Sequence, residues 1–325
     1  MNTVAHHHVT IAREDYLGVN HWNDPEHHYY YHDHFFTFRS RSASAAASRG
    51  RAAPSTTGYY LPVLMKDFAD RGGKIEYRRI EESDDIAPLV GRFDLLVVSS
   101  GKGPLGQLFA YRPEHSPYSQ PQRRLCVGPL YRCSRAAGSD ERDTLSVLRR
   151  GHGEMIVIPT ITFGGIASAL LMENVPGRRH GGAVRRSATR QTQAFPARAV
   201  LGSSRSIIRP LYDRSTLRGS ISRSRSIFLQ GRWCRRFATR WWNSTAANAP
   251  SRSASVHSVV DPMMGQGANV ASYAAFVLGE EIVNADVLDA RFLRKGRPEA
   301  AGPRAGGRRA GPTSCCSRLR KRSAC

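Results

Sequence analysis

Lysine and acidic residues are what long parts of this 325-residue chain lack: 43 arginines stand beside 5 lysines, and three stretches, 39–58, 178–258 and 294–325, hold 31 basic residues against 2 acidic ones. The formal net charge of +22 is therefore local. The rest of the chain is net negative, a balance typical of a soluble enzyme rather than of a nucleic-acid binder. The three stretches also lack sustained apolar periodicity. Runs such as Arg39-Ser40-Arg41-Ser42 and Ser222-Arg223-Ser224-Arg225-Ser226 are expected to be poor core formers. Paired CxxC spacing is missing among the six cysteines, Cys126, Cys133, Cys234, Cys315, Cys316 and Cys325, and no charged-then-apolar signal segment opens the chain. Both absences indicate a reducing cytoplasm. The longest uncharged run, Met155 to Met172, contains Pro159, Gly164, Gly165 and Ser168, which predicts two strands meeting at Gly164-Gly165 in place of a membrane helix.

What is present has the pattern of an α/β enzyme. Tyr60 to Ala69 carries helix-spaced Leu61, Leu64, Met65 and Phe68, stops at Arg71-Gly72-Gly73, and hands over to a strand starting at Lys74 to Tyr77. The run Phe93 to Val98, followed by Ser99-Ser100-Gly101, reads as a buried parallel strand whose C-terminal end faces a ligand. Arg124 to Gly128 and Gly153 to Asn174 predict an antiparallel sheet able to wall a pocket. Near the end, Asp261-Pro262-Met263-Met264-Gly265-Gln266-Gly267-Ala268-Asn269 feeds a helix with Val270, Tyr273, Ala274, Val277, Leu278 and Ile282 on one face. A glycine-bearing turn that opens a helix lets bare backbone N–H groups approach an anion or a flavin edge. Eight of the twelve histidines fall between His6 and His34, but dedicated zinc spacings are absent, so no metal site is assigned. Tyr29-Tyr30-Tyr31 reads as an aromatic strand, either beside a substrate channel or simply half-exposed.

The turn from Asp261 to Asn269, with Ala271-Ser272-Tyr273-Ala274-Ala275 and Gly279-Glu280-Glu281-Ile282, resembles the oxygenase component of styrene monooxygenase. Three further blocks agree in order: Asn2-Thr3-Val4-Ala5-His6 with Val9-Thr10 and Arg13-Glu14; Arg71-Gly72-Gly73-Lys74 through Val98 and Gly101-Lys102; and Gly151-His152-Gly153-Glu154 with Ile158-Pro159-Thr160. The resemblance covers roughly half of the chain. It implies a two-component flavoprotein in which an NADH-dependent flavin reductase supplies reduced FAD. The oxygenase then uses O₂, through a flavin C4a-hydroperoxide, to epoxidise styrene-like alkenes or to oxidise indole. Catalytic acid/base residues are not expected, because the cofactor carries the chemistry. By matching position, Asn2, Val4 and His6 are implied to line the substrate side, and Pro262, Gly265, Gln266, Gly267, Ala268 and Asn269 to face FAD. No membrane association is implied, and a homodimer is left open.

The implied fold class is α/β, FAD-dependent monooxygenase-like, with a Rossmann-type flavin domain lacking its first βαβ unit, a mixed β-sheet substrate domain and long poorly structured Arg-rich segments. The family's G-x-G-x-x-G unit has no counterpart here, so Met1 reads as an internal methionine with that unit upstream. Ala254-Ser255 stands where the family carries a Gly-Asp pair. The expected division is 1–38, a remnant lining the substrate pocket; 39–58, a disrupted Arg/Ser/Ala-rich segment; 59–112, a middle flavin-domain segment; 113–177, the substrate-binding β domain; 178–258, a second disrupted segment; 259–293, the flavin-contacting turn and helix; and 294–325, a basic tail. Out-of-frame reading of a GC-rich gene accounts for the disrupted segments. Two alternatives stand beside the enzyme reading: an inactive remnant without cofactor binding, and an Arg/Ser-rich nucleic-acid-binding protein.

Overall fold

The structure, a computed structural model, describes residues 3–38, 42–80, 85–90, 92–100, 104–116, 118–130, 143–176, 229–234, 236–238, 241–243, 250–253, 258–289 and 292. Strand β1 (Thr3–His7) runs directly into helix α1 (His8–Leu17), which buries Thr10, Ile11 and Glu14 on one face. The helix closes where the N–H groups of Gly18 and Val19 donate to the carbonyls of Asp15 and Glu14. Chain reversal then leads to β2 (Tyr29–Phe38) and β3 (Ser42–Thr56), paired antiparallel from Phe38 opposite Ser42 to Tyr29 opposite Ala52. From Ala52 onward β3 pairs with β1 instead, ending with Thr56 opposite Thr3.

That long strand corrects the expectation of a poor core former across 39–58. Ala52, Ala53, Ser55 and Thr56 are buried, and β3 finds ladder partners on both β2 and β1. The strand lies between β1 and β2, and the paired neighbours satisfy its backbone, so little apolar signal is needed in the sequence.

Helix α2 (Thr57–Asp70) follows as its spacing predicts. The strand expected at Lys74 to Tyr77 does not form: 71–80 holds no regular element, and Tyr77 is 88 % exposed, with no strand paired to it among the described residues. After the single turn α3 (Ala87–Val90), β4 (Leu96–Val98) is parallel, as expected, but shorter than the apolar run, and only Val98 is fully buried.

The largest sheet has eight strands in the order β1-β3-β2-β6-β7-β8-β5-β9, with β5 (Arg123–Leu130), β6 (Thr144–Arg149), β7 (Gly153–Thr162), β8 (Gly165–Asn174) and β9 (Leu229–Trp233). It is mixed: β2 and β6 run parallel, and the β6-β7-β8-β5-β9 part is antiparallel. Strand β7 is buried from Glu154 to Thr162. Its alternate residues feed two cores, Met155 and Val157 with Cys126, Val147 and Met172, and Ile156 and Ile158 with Tyr29, Ala52 and Ala169. Two-sided burial explains why this strand reads as an unbroken apolar run. The predicted reversal falls at Phe163-Gly164, where the Thr162 hydroxyl accepts the Gly164 N–H and donates to the Gly165 carbonyl.

Smaller sheets join β4, β12 (Pro250–Ser253) and β11 (Trp241–Asn243), and β10 (Arg236–Phe237) with β13 (Ser258–Val259). Strands β9 to β12 and the start of β13 occupy described parts of 178–258, a stretch expected to be poorly structured; residues 178–228 and 293–325 lie outside the described residues. A 3₁₀ turn at Met263–Gly265 then opens helix α4 (Gly267–Val283).

Candidate functional site

Three parts of the chain converge on one cavity of about 470 Å³. The β1–α1 junction contributes His7, His8, Thr10 and Arg13; β2 contributes Tyr29, Tyr30, His32 and His34; the first turns of α4 contribute Gln266, Asn269, Val270 and Tyr273. Adjacent Tyr29 and Tyr30 both line it, at the point where β3 carries one extra residue opposite Tyr29 to Tyr31, beside Gly50. Gly50 also permits close approach, since a Cβ there would stand 3.1 Å from His8 Nδ1.

Asn269 holds the junction together. Its Oδ1 accepts the His7 N–H at 3.0 Å and the Thr10 hydroxyl at 2.7 Å, and its Nδ2 donates to the Ala5 carbonyl at 2.9 Å. The residue expected to face FAD thus uses its side chain to bind α4 to β1 and α1. Gln266 lines the cavity and meets His7 Nε2 at 3.2 Å. Arg13 donates to Thr10 Oγ1 and stacks its guanidinium 5.5 Å from the Tyr273 ring centre.

Three of the cavity's imidazoles, His7, His32 and His34, are biased toward the neutral form. Burial lowers His7, with His8 and His6 adding repulsion, and pushes His32 down to about 3, with His34 and His7 adding to it. His34 is lowered by burial, against a smaller opposing effect of Asp33. Burial also raises the Tyr29 hydroxyl to about 12. Among the lining side chains, Arg13 is the fixed charge.

Of the residues expected on the substrate side, Asn2 lies outside the described residues and Val4 is half-buried on β1. His6 is buried, and its Nδ1 stands 2.6 Å from Glu14 Oε1, which also accepts the Tyr60 hydroxyl at 2.8 Å. The Tyr60 ring meets His6 edge-on at 4.5 Å, and its hydroxyl is raised by burial and by Glu14. His6 thus packs behind β1, next to the residue that enters the cavity. Sequence reasoning did not find the roles of Glu14 and Tyr60, since 46 positions separate them.

Pro262, Gly265, Gly267 and Ala268 form the turn above. Gly265 has φ +63°, and its N–H returns to the Pro262 carbonyl at 2.8 Å. Asp261 Oδ1 accepts the Met263 N–H, and its Oδ2 pairs with Arg123 at 3.1 Å, tying the turn to β5. A Cβ at Gly265 or Gly267 would meet nothing within 4 Å, so the backbone is bare toward open space. A helix start of that form fits the edge of a planar, electron-rich ring such as a flavin. Ser255, expected to replace a carboxylate in this region, lies outside the described residues. Among those residues no group of three or more His, Cys, Asp or Glu side chains is arranged to hold a metal ion, and no helix is long and apolar enough to cross a membrane.

Residues 101–206 match the family model described as "Styrene monooxygenase A putative substrate binding domain". The match enters the stretch after 178 that the sequence reading sets apart. Styrene monooxygenase StyA of Pseudomonas fluorescens is 35% identical over 299 residues, and StyA of a Pseudomonas species 34% over 296. Each alignment covers 90% of this chain, well beyond the half expected, and 69% of the relative. Among solved structures, the flavin-dependent halogenase CmlS superposes with a TM-score of 0.57 at 14% identity over 84% of this chain, which spans about half of CmlS (49%). The 2-methyl-3-hydroxypyridine-5-carboxylic acid oxygenase gives 0.56 at 10% identity, over 90% of this chain and 74% of that one. These likenesses establish the α/β flavin-monooxygenase-like fold.

Proposed function

The chain belongs to the styrene monooxygenase StyA family of flavoprotein monooxygenases, and on that premise we propose that it epoxidises styrene-like vinylarenes, and oxidises indole, in the cavity between β2 and α4. The observation that carries this reading is adjacency: the bare Gly265–Gly267 turn opens the same helix whose Asn269, Val270 and Tyr273 wall an aromatic, imidazole-lined cavity.

FAD, reduced by a separate NADH-dependent reductase, supplies when bound the O₂ activation that no side chain here provides. Within the turn Pro262 to Ala268, the N–H groups of Gly267 and Ala268, which open α4, would meet its ring edge. Asp261 and Arg123 fix that turn to the sheet, and Asn269 fixes the helix to β1. Tyr29, Tyr30 and Tyr273 give an apolar bed for an arene, and the neutral imidazoles avoid strongly hydrated charge near the reacting alkene. Val4 and His6 serve the substrate side from β1, His6 by bracing the strand through Glu14. A cytoplasmic enzyme is consistent with this reading. The inactive-remnant and nucleic-acid readings have no observation in their favour.

The test supplies purified protein with FAD, a flavin reductase, NADH, air and styrene. Styrene oxide above the protein-free control, dependent on both FAD and O₂, is expected. Its absence with soluble, flavin-bearing protein contradicts the proposal.

A further inference from the structure

Glu173, on β8, is a buried carboxyl that the proposed chemistry leaves unused. It stands opposite Glu154 of β7 on one side and Leu125 of β5 on the other. Arg123 lies two positions before Leu125 on β5 and so belongs to the same face of the sheet. Its guanidinium donates to the Gln122 carbonyl, meets Asp261 Oδ2 at 3.1 Å and approaches Met263 Sδ at 3.6 Å, the last two in the segment that forms the flavin turn. Arg123 Nε and Glu173 Oε2 are both buried without a hydrogen-bond partner among the described residues. Asn174 Nδ2 is also unpartnered, but Asn174 belongs to the opposite face of β8. The charged groups that act on Glu173 are Glu154, Asp261 and Arg123, so three carboxyls share one guanidinium.

We propose that Glu173 is a positioning residue for the flavin turn: as the neutral acid it leaves Arg123 to Asp261, and as a carboxylate it draws Arg123 away from Asp261, which loosens the turn and weakens flavin binding. The inference rests on the reading of that turn as the flavin contact. Diagonal neighbours on adjacent strands lie within reach of long side chains, so Arg123 can turn its unused Nε toward Glu173. The competition is unequal. Asp261, with its side chain 33 % exposed, can exchange the guanidinium for water, whereas Glu173, 1 % exposed and facing Glu154, has no water to answer its charge. Burial, then Glu154 and Asp261, raise the Glu173 carboxyl to about 8, so Arg123 serves the turn at neutral pH and is drawn off as the pH rises through that value.

The test follows the full chain from about pH 6.5 to 9 with two readouts, while circular dichroism checks that the fold is native at each pH. One is amide-exchange protection of Met263 and Gly265 without flavin, corrected for the intrinsic pH dependence of exchange; the other is fluorescence titration with oxidised FAD. In wild type, protection and FAD affinity are expected to fall together, each by about tenfold across the window. Glu173→Gln, which stays neutral, should hold both at their low-pH values throughout. Asp261→Asn, which gives up the ion pair, should show weak protection and weak FAD binding at every pH. Wild-type protection that does not change with pH overturns the proposal, and so does a fall that persists in Glu173→Gln. No FAD binding at any pH, or protection that falls while FAD affinity stays constant, overturns the flavin reading of the turn, an outcome distinct from a turn that never loosens.

Discussion

Asn269 Nδ2 donates to the carbonyl of Ala5 at 2.9 Å, across 264 positions of sequence. That bond, with the two accepted by Oδ1, makes one side chain the joint between the glycine-bearing turn and the strand leading into the cavity. Asn269→Ala is expected to destabilise the fold by about 2–4 kcal/mol, since three bonds are lost and the buried Thr10 hydroxyl loses its acceptor. Asn269→Asp keeps both accepted bonds and should fall between. Urea denaturation measures both.

Gly267 separates stability from flavin contact. At the first position of α4, with open space above it, Gly267→Ala should leave stability unchanged or raise it by up to about 1 kcal/mol. The new methyl would occupy the space assigned to the flavin edge. Thermal denaturation together with flavin-fluorescence titration should show a stable protein with weakened flavin affinity.

Glu14 serves two buried partners, His6 and Tyr60. Glu14→Ala should destabilise by about 2–5 kcal/mol, because both lose their acceptor, whereas Glu14→Gln retains an acceptor oxygen and should lose much less. Equal effects of the two substitutions in denaturation experiments would contradict the arrangement.

Glu154 and Glu173 stand opposite each other on β7 and β8, both buried, and the Glu173 carboxyl is raised to about 8 by burial, then by Glu154 and Asp261, against the pull of Arg123. The unfolded carboxyl titrates near 4.5, so between about pH 4.5 and 8 the folded state holds more protons. The contribution of Glu173 to stability is therefore full below that window and is lost as pH rises through it. Glu173→Gln, which mimics the protonated acid, should flatten the fall. Urea midpoints from pH 5 to 9 for both proteins measure this.

The sequence discloses elements whose signal is local. The apolar run broken at Gly164 marks the β7–β8 hairpin, helical spacing marks α2 and α4, and Asp-Pro before two glycines marks the turn. Strand β3 escapes because Ala, Ser and Arg carry no apolar alternation, and its order comes from partners on β1 and β2. The apolar signal at Ile75 and Tyr77 misleads, because among the described residues no strand pairs with it. Within the site, the turn and the aromatic β2 are legible. Others depend on distant residues meeting: Asn269 with Ala5, and Glu14 with Tyr60.

The claim that an arene occupies the cavity between β2 and α4 is tested most directly by a crystal of the protein soaked with 4-bromostyrene and measured at the bromine absorption edge. The account predicts one dominant anomalous peak within the cavity, bounded by Tyr29, His34, Val270 and Tyr273. A dominant peak elsewhere on the protein, with that cavity empty, would contradict it.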